Sequence, residues 1–197
     1  MVDTVLDVQR TTVLDEPLDG RLRAMYLRAF GPLAARSIVR ATATGEEWAH
    51  FASCPDLIKY VAFAADQPVG LLLVARRPDV IDWLEPATFA ARWPGEDPWY
   101  IVSVAVEPDQ HGSQAFRALL DAMLDDAGPR QVIVFDTCDY NTPQLARTLQ
   151  KRADLRFGPS TVTVDALEVQ RFLTASVVDG TLRAREIDRE QFFVLHP

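Results

Sequence analysis

The chain has 197 residues, of which 48% are hydrophobic and 24% are charged, so it can form one sizeable core. No apolar run approaches the roughly 20 residues that span a bilayer, and residues 1–17 lack the basic start and apolar run of a secretory signal, so we expect a cytoplasmic protein. The net charge of -8 argues against nucleic-acid and membrane partners and mildly favours a cationic amine. The two cysteines, Cys54 and Cys138, indicate neither a disulfide framework nor a metal site.

The first third of the chain predicts a strand and two or three helices. Partial alternation over residues 5–13 predicts a strand. Helical spacing from residue 18 to about 38 predicts a helix, with a kink or a second helix at Gly31-Pro32. Residues 44–47 are typical of a helix start. The buried stripe of that helix would be Trp48, Phe51 and Ala52.

The next segment predicts a hairpin and then a long excursion. Apolar runs at residues 60–64 and 69–75 flank a polar stretch and indicate antiparallel strands, with a connection longer than two residues. Residues 78–98 are rich in proline and tryptophan and include a short helical stretch at 89–93. Such excursions often wall a binding site, although their tryptophans more often anchor the segment to the core. The tryptophans concerned are Trp83, Trp93 and Trp99.

Two strands and two helices alternate after this excursion. The pattern predicts strands at residues 99–106 and 131–135 and helices at 112–127 and 143–152. Strand, helix, strand, helix implies a parallel pair of strands. The first helix has one apolar face, and its acidic residues Asp121, Asp125 and Asp126 are most simply its solvated face.

The C-terminal segment is less regular. It predicts a strand at residues 160–164, is ambiguous at 167–178 and ends with an apolar group at 192–195. We expect a single domain over residues 1–197, with residues 160–197 completing the sheet or forming an oligomer contact, possible in a homodimer.

The junction between residues 106 and 112 carries the strongest functional signal. A strand ends before Pro108, a loop with Gly112 follows, and a helix begins there with amide N–H groups that lack partners within the helix. These donors and the helix dipole favour a phosphate or pyrophosphate group at this place. A simple strand-to-helix corner with an exposed His111 is the alternative.

This junction resembles motif A of the GNAT (general-control-related N-acetyltransferase) superfamily, in which strand four ends in V-x-P before an (R/Q)-x-x-G-x-(G/A) loop. The resemblance implies an α/β fold with a mixed central sheet, splayed fourth and fifth strands and flanking helices. It also implies acetyl-CoA or another acyl-CoA as co-substrate and a small-molecule or protein amine as acceptor. By the same resemblance, the residues holding the coenzyme would be Val104, Val106, His111, Gly112, Ser113, Gln114, Ala115 and Asn141.

The chain departs from the family pattern at several positions. In the ungapped alignment with the motif, Gln114 and Phe116 occupy the loop glycine positions. An alternative alignment starts the motif at Gln110 and places the small residue Ala115 at its last position. Leu149 occupies the position where the family often has a tyrosine that acts as the general acid. In a match shifted by one residue, Gln150 would occupy that position.

Two tyrosines are the candidates for catalysis. Tyr100 falls in the base position of strand four, and Tyr140 could replace the missing acid. Other roles are simpler for two neighbouring residues, since Asn141 can cap a helix and Cys138 is more simply a small buried residue. The sequence therefore predicts an N-acyltransferase, with a catalytically silent binding or regulatory module as the alternative.

Overall fold

The protein consists of two compact units, residues 1–163 and 164–197. The computed structural model describes residues 6–34, 42–108, 112–127, 131–136, 142–159, 173–178 and 181–186. The predicted strand at 160–164 and the apolar group at 192–195 lie outside these ranges. The expectation of a single domain stays a prediction.

The first unit is built on a five-stranded mixed sheet in the order β1-β2-β3-β4-β5. Neighbouring strands are antiparallel except for β4 and β5, which are parallel as the alternation of strands and helices predicted. The strands are β1 (Leu6–Thr11), β2 (Leu57–Ala64), β3 (Gln67–Ala75), β4 (Trp99–Val106) and β5 (Ile133–Phe135).

In the described ranges, five α-helices accompany the sheet, together with a short 3₁₀ turn at Pro78–Val80. They are α1 (Leu18–Ala34), α2 (Gly45–Ser53), α3 (Pro86–Arg92), α4 (Gly112–Ala127) and α5 (Thr142–Phe157). No helix in the described parts of the chain is long and apolar enough to cross a membrane.

The sheet separates two apolar clusters because successive strand residues point to opposite faces. One face is covered by α1 and α2, and its core includes Leu22, Met25, Trp48, Phe51, Leu71 and Leu73. The other face is covered by α4 and α5, and its core includes Ile58, Leu72, Leu119, Leu120, Met123 and Leu149. The class of fold predicted from the sequence, a mixed sheet between helices, is confirmed.

The start of α2 illustrates how local sequence sets a helix boundary. The Thr44 side chain accepts a hydrogen bond from the Glu47 backbone N–H at 3.2 Å, and the Glu47 carboxylate accepts one from the Thr44 N–H at 2.6 Å. This reciprocal capping satisfies two donors that the helix itself cannot. The predicted buried stripe of α2 is confirmed.

One local expectation was wrong, namely the length of the connection between β2 and β3. At Gly31-Pro32, the first helix continues to Ala34 with no second helix starting at Gly31, and the alternative of a kink there stays a prediction. A proline in the last turn removes only one N–H near an exposed end, so its cost there is small. The β2–β3 connection is a two-residue turn, because Ala64 pairs with Gln67 and Ala65 adopts a positive φ of 51°.

The second unit contains a hairpin of β6 (Leu173–Val178) and β7 (Thr181–Glu186). The two strands are antiparallel and form a two-stranded sheet. This hairpin assigns a strand to the second half of the ambiguous segment at 167–178. Its predicted role in completing the sheet or in an oligomer contact stays a prediction.

Candidate active site at the open edge of strand four

β4 and β5 separate after a short parallel contact. Trp99, Tyr100 and Ile101 pair with β5, and the Trp99 N–H donates to the Val132 carbonyl at 2.9 Å. Beyond Ile101, β4 continues to Val106 with no partner on this side among the described residues. Among the described residues, β4 is thus paired with β5 only at its start and has an open edge from Val102 onward, an arrangement in line with the predicted splay.

A β-bulge at Val102 marks the point of separation. On β3, Leu73 pairs with Ser103 and Val74 pairs with Ile101, which leaves Val102 as an extra residue on β4. A bulge bends its strand and increases the local twist. The bend therefore falls where the contact with β5 ends.

The bulge also decides which backbone groups face the open edge. The Glu107 N–H donates to the Val69 carbonyl at 2.9 Å, so Glu107 faces β3. Because backbone groups alternate along a strand, those of Ala105 also face β3, and those of Val104 and Val106 face away from it. Both predicted coenzyme contacts on β4 therefore present backbone donors and acceptors at the open edge.

The close packing of α4 on β3 depends on Gly70. A Cβ atom at Gly70 would lie 2.9 Å from Leu119 Cδ1 and 3.4 Å from Ala115 Cβ. Both helix residues are fully buried. Any larger residue would force the Leu119 side chain to move within the core. The first turns of α4 are thereby held against the sheet just after β4 ends.

The predicted pyrophosphate loop is described only in part. Gly112 and Ser113 are the first two residues of α4, and His111 lies outside the described residues. Gln114 is exposed, whereas Ala115 is buried against the sheet. Phe116 packs partly buried against the α4–α5 cluster. Phe116, which replaces one of the two loop glycines of the family, therefore directs its ring into the core.

α1 is tied to the end of β4 by an ion pair. Arg28 donates to Glu107 from Nε to Oε1 at 3.1 Å and from Nη2 to Oε2 at 2.9 Å. The hydrogen bond to Glu107 raises the pKa of the Arg28 guanidinium. This bidentate contact fixes the helix beside the strand–helix junction.

A polar group of three residues lies where β4 and β5 begin to part. The Tyr100 hydroxyl donates to the Asp136 carboxylate, which comes directly after β5, and accepts from Trp83 Nε1 at 3.4 Å. Tyr100 is only 4% exposed, whereas Trp83 is 53% exposed. The group lies on the α1–α2 face, because Tyr100 and Val134 pack in that cluster.

The environment of Tyr100 bears on its predicted catalytic role. Burial, and secondly the hydrogen bond to Asp136, raise the pKa of the Tyr100 hydroxyl well above its ordinary value. Tyr100 therefore keeps its proton at neutral pH and can orient Asp136 by donating a hydrogen bond. The catalytic role of Tyr100 stays a prediction, and Tyr140 and Asn141 lie outside the described residues.

The residues at the position of the family's general-acid tyrosine have structural contacts in this protein. Leu149 is buried in the cluster between α4 and α5. The neighbouring Gln150 donates to Asp154 at 2.9 Å on the same helix. Neither side chain can donate a proton to a leaving thiolate.

The sequence did not predict the contact of Tyr100 with Asp136 and Trp83, nor the burial of Ser103. Ser103 follows the bulge, and its Oγ is buried with no hydrogen-bond partner among the described residues. Alternation with Val104 directs Ser103 to the α1–α2 face, like Tyr100. One available signal was the position of Asp136 directly after a parallel strand, where open α/β sheets place ligand contacts.

The acidic side chains of α4 form ion pairs, and two of them, Asp125 and Asp126, are exposed as predicted for a solvated face. Asp121 binds Arg152 of α5, with 2.6 Å between Arg152 Nε and Asp121 Oδ1, and Asp125 pairs with Arg156. Asp126 accepts from the Tyr60 hydroxyl at 2.9 Å and pairs with Arg10 at 2.5 Å. Paired guanidinium groups explain why these carboxylates cluster. Within the described ranges, no group of three potential metal ligands occurs.

Comparison with solved structures identifies the fold as that of the GNAT acetyltransferases. An aminoglycoside acetyltransferase from an uncultured soil metagenomic sample, solved with sisomicin, matches with a TM-score of 0.52 and 13% identity, over 88% of this chain and 100% of that one. A putative acetyltransferase from Pyrococcus horikoshii matches with a TM-score of 0.53 and 10% identity, over 95% and 99% of the two chains. No protein-family model and no curated protein matches the sequence.

Proposed function

We propose that this protein is an acyl-CoA-dependent N-acyltransferase that transfers an acyl group, most simply acetyl, to an amine. The observation that carries the proposal is the open edge of β4, where the backbone groups of Val104 and Val106 face away from β3 beside the start of α4. The fold shared with acetyltransferases supports it.

The residues at this edge fit a coenzyme A thioester. The pantetheine arm carries amides that can pair with the strand edge at Val104 and Val106. Its pyrophosphate would lie at the start of α4, where Gly112, Ser113 and Gln114 contribute amide N–H groups and the helix dipole favours an anion. His111 and Asn141 are further proposed contacts.

The reaction requires an unprotonated amine. Its nitrogen lone pair attacks the thioester carbonyl, the carbon–sulfur bond breaks, and one proton leaves the nitrogen while the thiolate takes one up. The retained proton of Tyr100 makes that residue a positioning group, and Tyr140 is the proposed acid. Neutral thiol and amide are the products.

Binding of acyl-CoA tests the first part of the proposal. Thermal shift and calorimetry with acetyl-CoA and longer acyl-CoAs should show saturable binding, because a ligand at a hundred times its Kd stabilises the fold by about 2.7 kcal/mol. The absence of binding for every coenzyme A species would refute the proposal.

The strand-edge contact can be tested separately. A Val104→Pro variant removes an N–H that faces the open edge and leaves the hydrogen bonds to β3 in place. Acyl-CoA affinity should fall while circular dichroism shows a folded protein. Unchanged affinity in the folded variant would exclude the strand edge as the pantetheine site.

A silent binding module is the second candidate, and the buried Leu149 at the family's acid position favours it. It predicts acyl-CoA binding without thiol release over a panel of amines. A thiol-release assay therefore separates the two candidates once binding is established.

A further inference from the structure

Two tyrosine–aspartate pairs lie on opposite faces of the sheet, and only one is neutralised. Tyr60 donates to Asp126, and Arg10 forms an ion pair with the same carboxylate at 2.5 Å. Tyr100 donates to Asp136, but no Arg, Lys or His among the described residues forms an ion pair with Asp136. Asp136 is exposed, so it is accessible to a cation from solution.

The aromatic side chain beside this carboxylate also favours a cation. Trp83 is more than half exposed, and its ring lies edge-on to Phe51 with 6.3 Å between centroids. The hydrogen bond from Trp83 Nε1 to the Tyr100 hydroxyl holds the indole near Asp136. A carboxylate next to an indole is a combination that attracts an ammonium group by charge and by the ring quadrupole.

We propose that Asp136 and Trp83 bind an ammonium group of the amine acceptor, with Tyr100 as the residue that positions the carboxylate. This inference rests on the proposed N-acyltransferase function. The location agrees with an acceptor site, because Asp136 follows β5 at the place where β4 begins to open.

The chemistry of the pair narrows the acceptor further. Contact with a carboxylate stabilises the protonated form of an amine, so the nitrogen held at Asp136 is a poor nucleophile. The ammonium at Asp136 is therefore a second, non-reacting group, while another amino group of the same molecule attacks the thioester. The acceptor class is a molecule with two or more aliphatic amino groups, which the net charge of -8 also favours.

A matched pair of probes tests this class. The diamine probe is pentane-1,5-diamine, and the control is the amino alcohol of the same chain length, in which a neutral hydroxyl replaces the second ammonium. With saturating acetyl-CoA, kcat/KM should favour the diamine by about tenfold or more, because hydrogen bonds to charged groups are worth about 1.5–3 kcal/mol. Equal values for the two probes would overturn the inference.

Substitutions then locate the discrimination. Asp136→Asn should reduce kcat/KM for the diamine to the level of the amino alcohol, mainly through KM, and leave acetyl-CoA affinity unchanged. Asp97→Asn, which removes an exposed carboxylate just before β4, is the control and should retain the preference. Tyr100→Phe should raise KM for the diamine several-fold without a matching change for the amino alcohol.

Substitutions of Trp83 test whether its ring contributes to the preference for the diamine. Trp83→Phe should keep most of the preference for the diamine, whereas Trp83→Leu should lose part of it, because only an aromatic ring attracts a cation. A diamine preference that survives both Asp136→Asn and Trp83→Leu would overturn the proposed site.

Direct binding separates this inference from the function on which it rests. Calorimetry without acyl-CoA should detect diamine binding to the wild-type protein and its loss in Asp136→Asn. If the diamine binds in this way but no coenzyme A species binds, the acyltransferase proposal fails and the ammonium site stands. If instead the protein transfers an acyl group to the diamine and Asp136→Asn leaves this activity unchanged, the ammonium site fails and the acyltransferase proposal stands.

Discussion

The two faces of the central sheet differ in how the carboxylates beside them are paired. On the α4–α5 face, the carboxylates bind partners from the same chain. Asp126 accepts a hydrogen bond from Tyr60 and forms an ion pair with Arg10, and Asp121 binds Arg152. On the α1–α2 face, Asp136 has Tyr100 and an exposed indole but no cationic partner among the described residues. The carboxylates on the α4–α5 face thus have cationic partners from the chain, whereas Asp136 on the other face can accept a cation from a ligand.

Fully buried polar groups away from the proposed acceptor site also differ between the two faces. Lys59 on β2 is fully buried, and its ammonium donates to the carbonyls of Thr12 at 2.6 Å and Cys54 at 2.8 Å. Alternation with Leu57 and Val61 places it on the α1–α2 face. The burial of Lys59 and of the Ser103 hydroxyl costs free energy that the apolar α4–α5 core does not incur.

The largest effect that tests this contrast is the pH dependence caused by Lys59. Burial lowers the pKa of Lys59 to about 8, while the unfolded chain titrates near its ordinary value of 10.5. Between these pH values the unfolded chain binds the proton and the folded protein has lost it, so the free energy of unfolding rises with pH. The rise should total about 3 kcal/mol, measured by urea denaturation from pH 7 to 11.

Lys59→Met should lack this rise, whereas Lys151→Met, which changes an exposed lysine on α5, should retain it. Other groups that titrate in this window are common to all three proteins, so they do not affect the comparison. Identical pH profiles for wild type and Lys59→Met would show that Lys59 carries no desolvation cost.

The next effect tests the tight packing of the α4–α5 face. Gly70→Val would place its side chain within the space of Leu119 and Ala115, and overpacking should lower the free energy of unfolding by about 2 kcal/mol. Since the same contact holds the start of α4 beside β4, acetyl-CoA affinity should also fall. A variant as stable as the wild type would mean that α4 can shift freely on the sheet.

The smallest effect compares the two aspartates directly. Asp126→Asn removes an ion pair with Arg10 in which both side chains are about 40% exposed, so it should cost about 0.5 kcal/mol and less at high salt. Asp136→Asn should cost less, because no ion pair is lost and an amide oxygen can still accept from Tyr100. Equal, salt-sensitive losses in the two variants would contradict the contrast between the faces.

Much of this architecture could be predicted from the sequence because its signals are local. The apolar spacing of Leu119, Leu120 and Met123 defines α4, and the Thr44–Glu47 pair defines the start of α2. Alternating strands and helices predicted the parallel contact of β4 with β5. The turn at Ala65 was missed because alanine carries no propensity for a positive φ.

By itself, the sequence determined the order of elements, the GNAT-like fold and the strand–helix junction, since each depends on residues near one another along the chain. Only the tertiary structure decided what surrounds that junction. The bulge at Val102 depends on the register with β3. Tyr100 and Asp136 meet because β4 pairs with β5, and Trp83 reaches Tyr100 from the segment between β3 and β4. Neither relation leaves a local pattern, because both arise from packing between segments far apart in the chain.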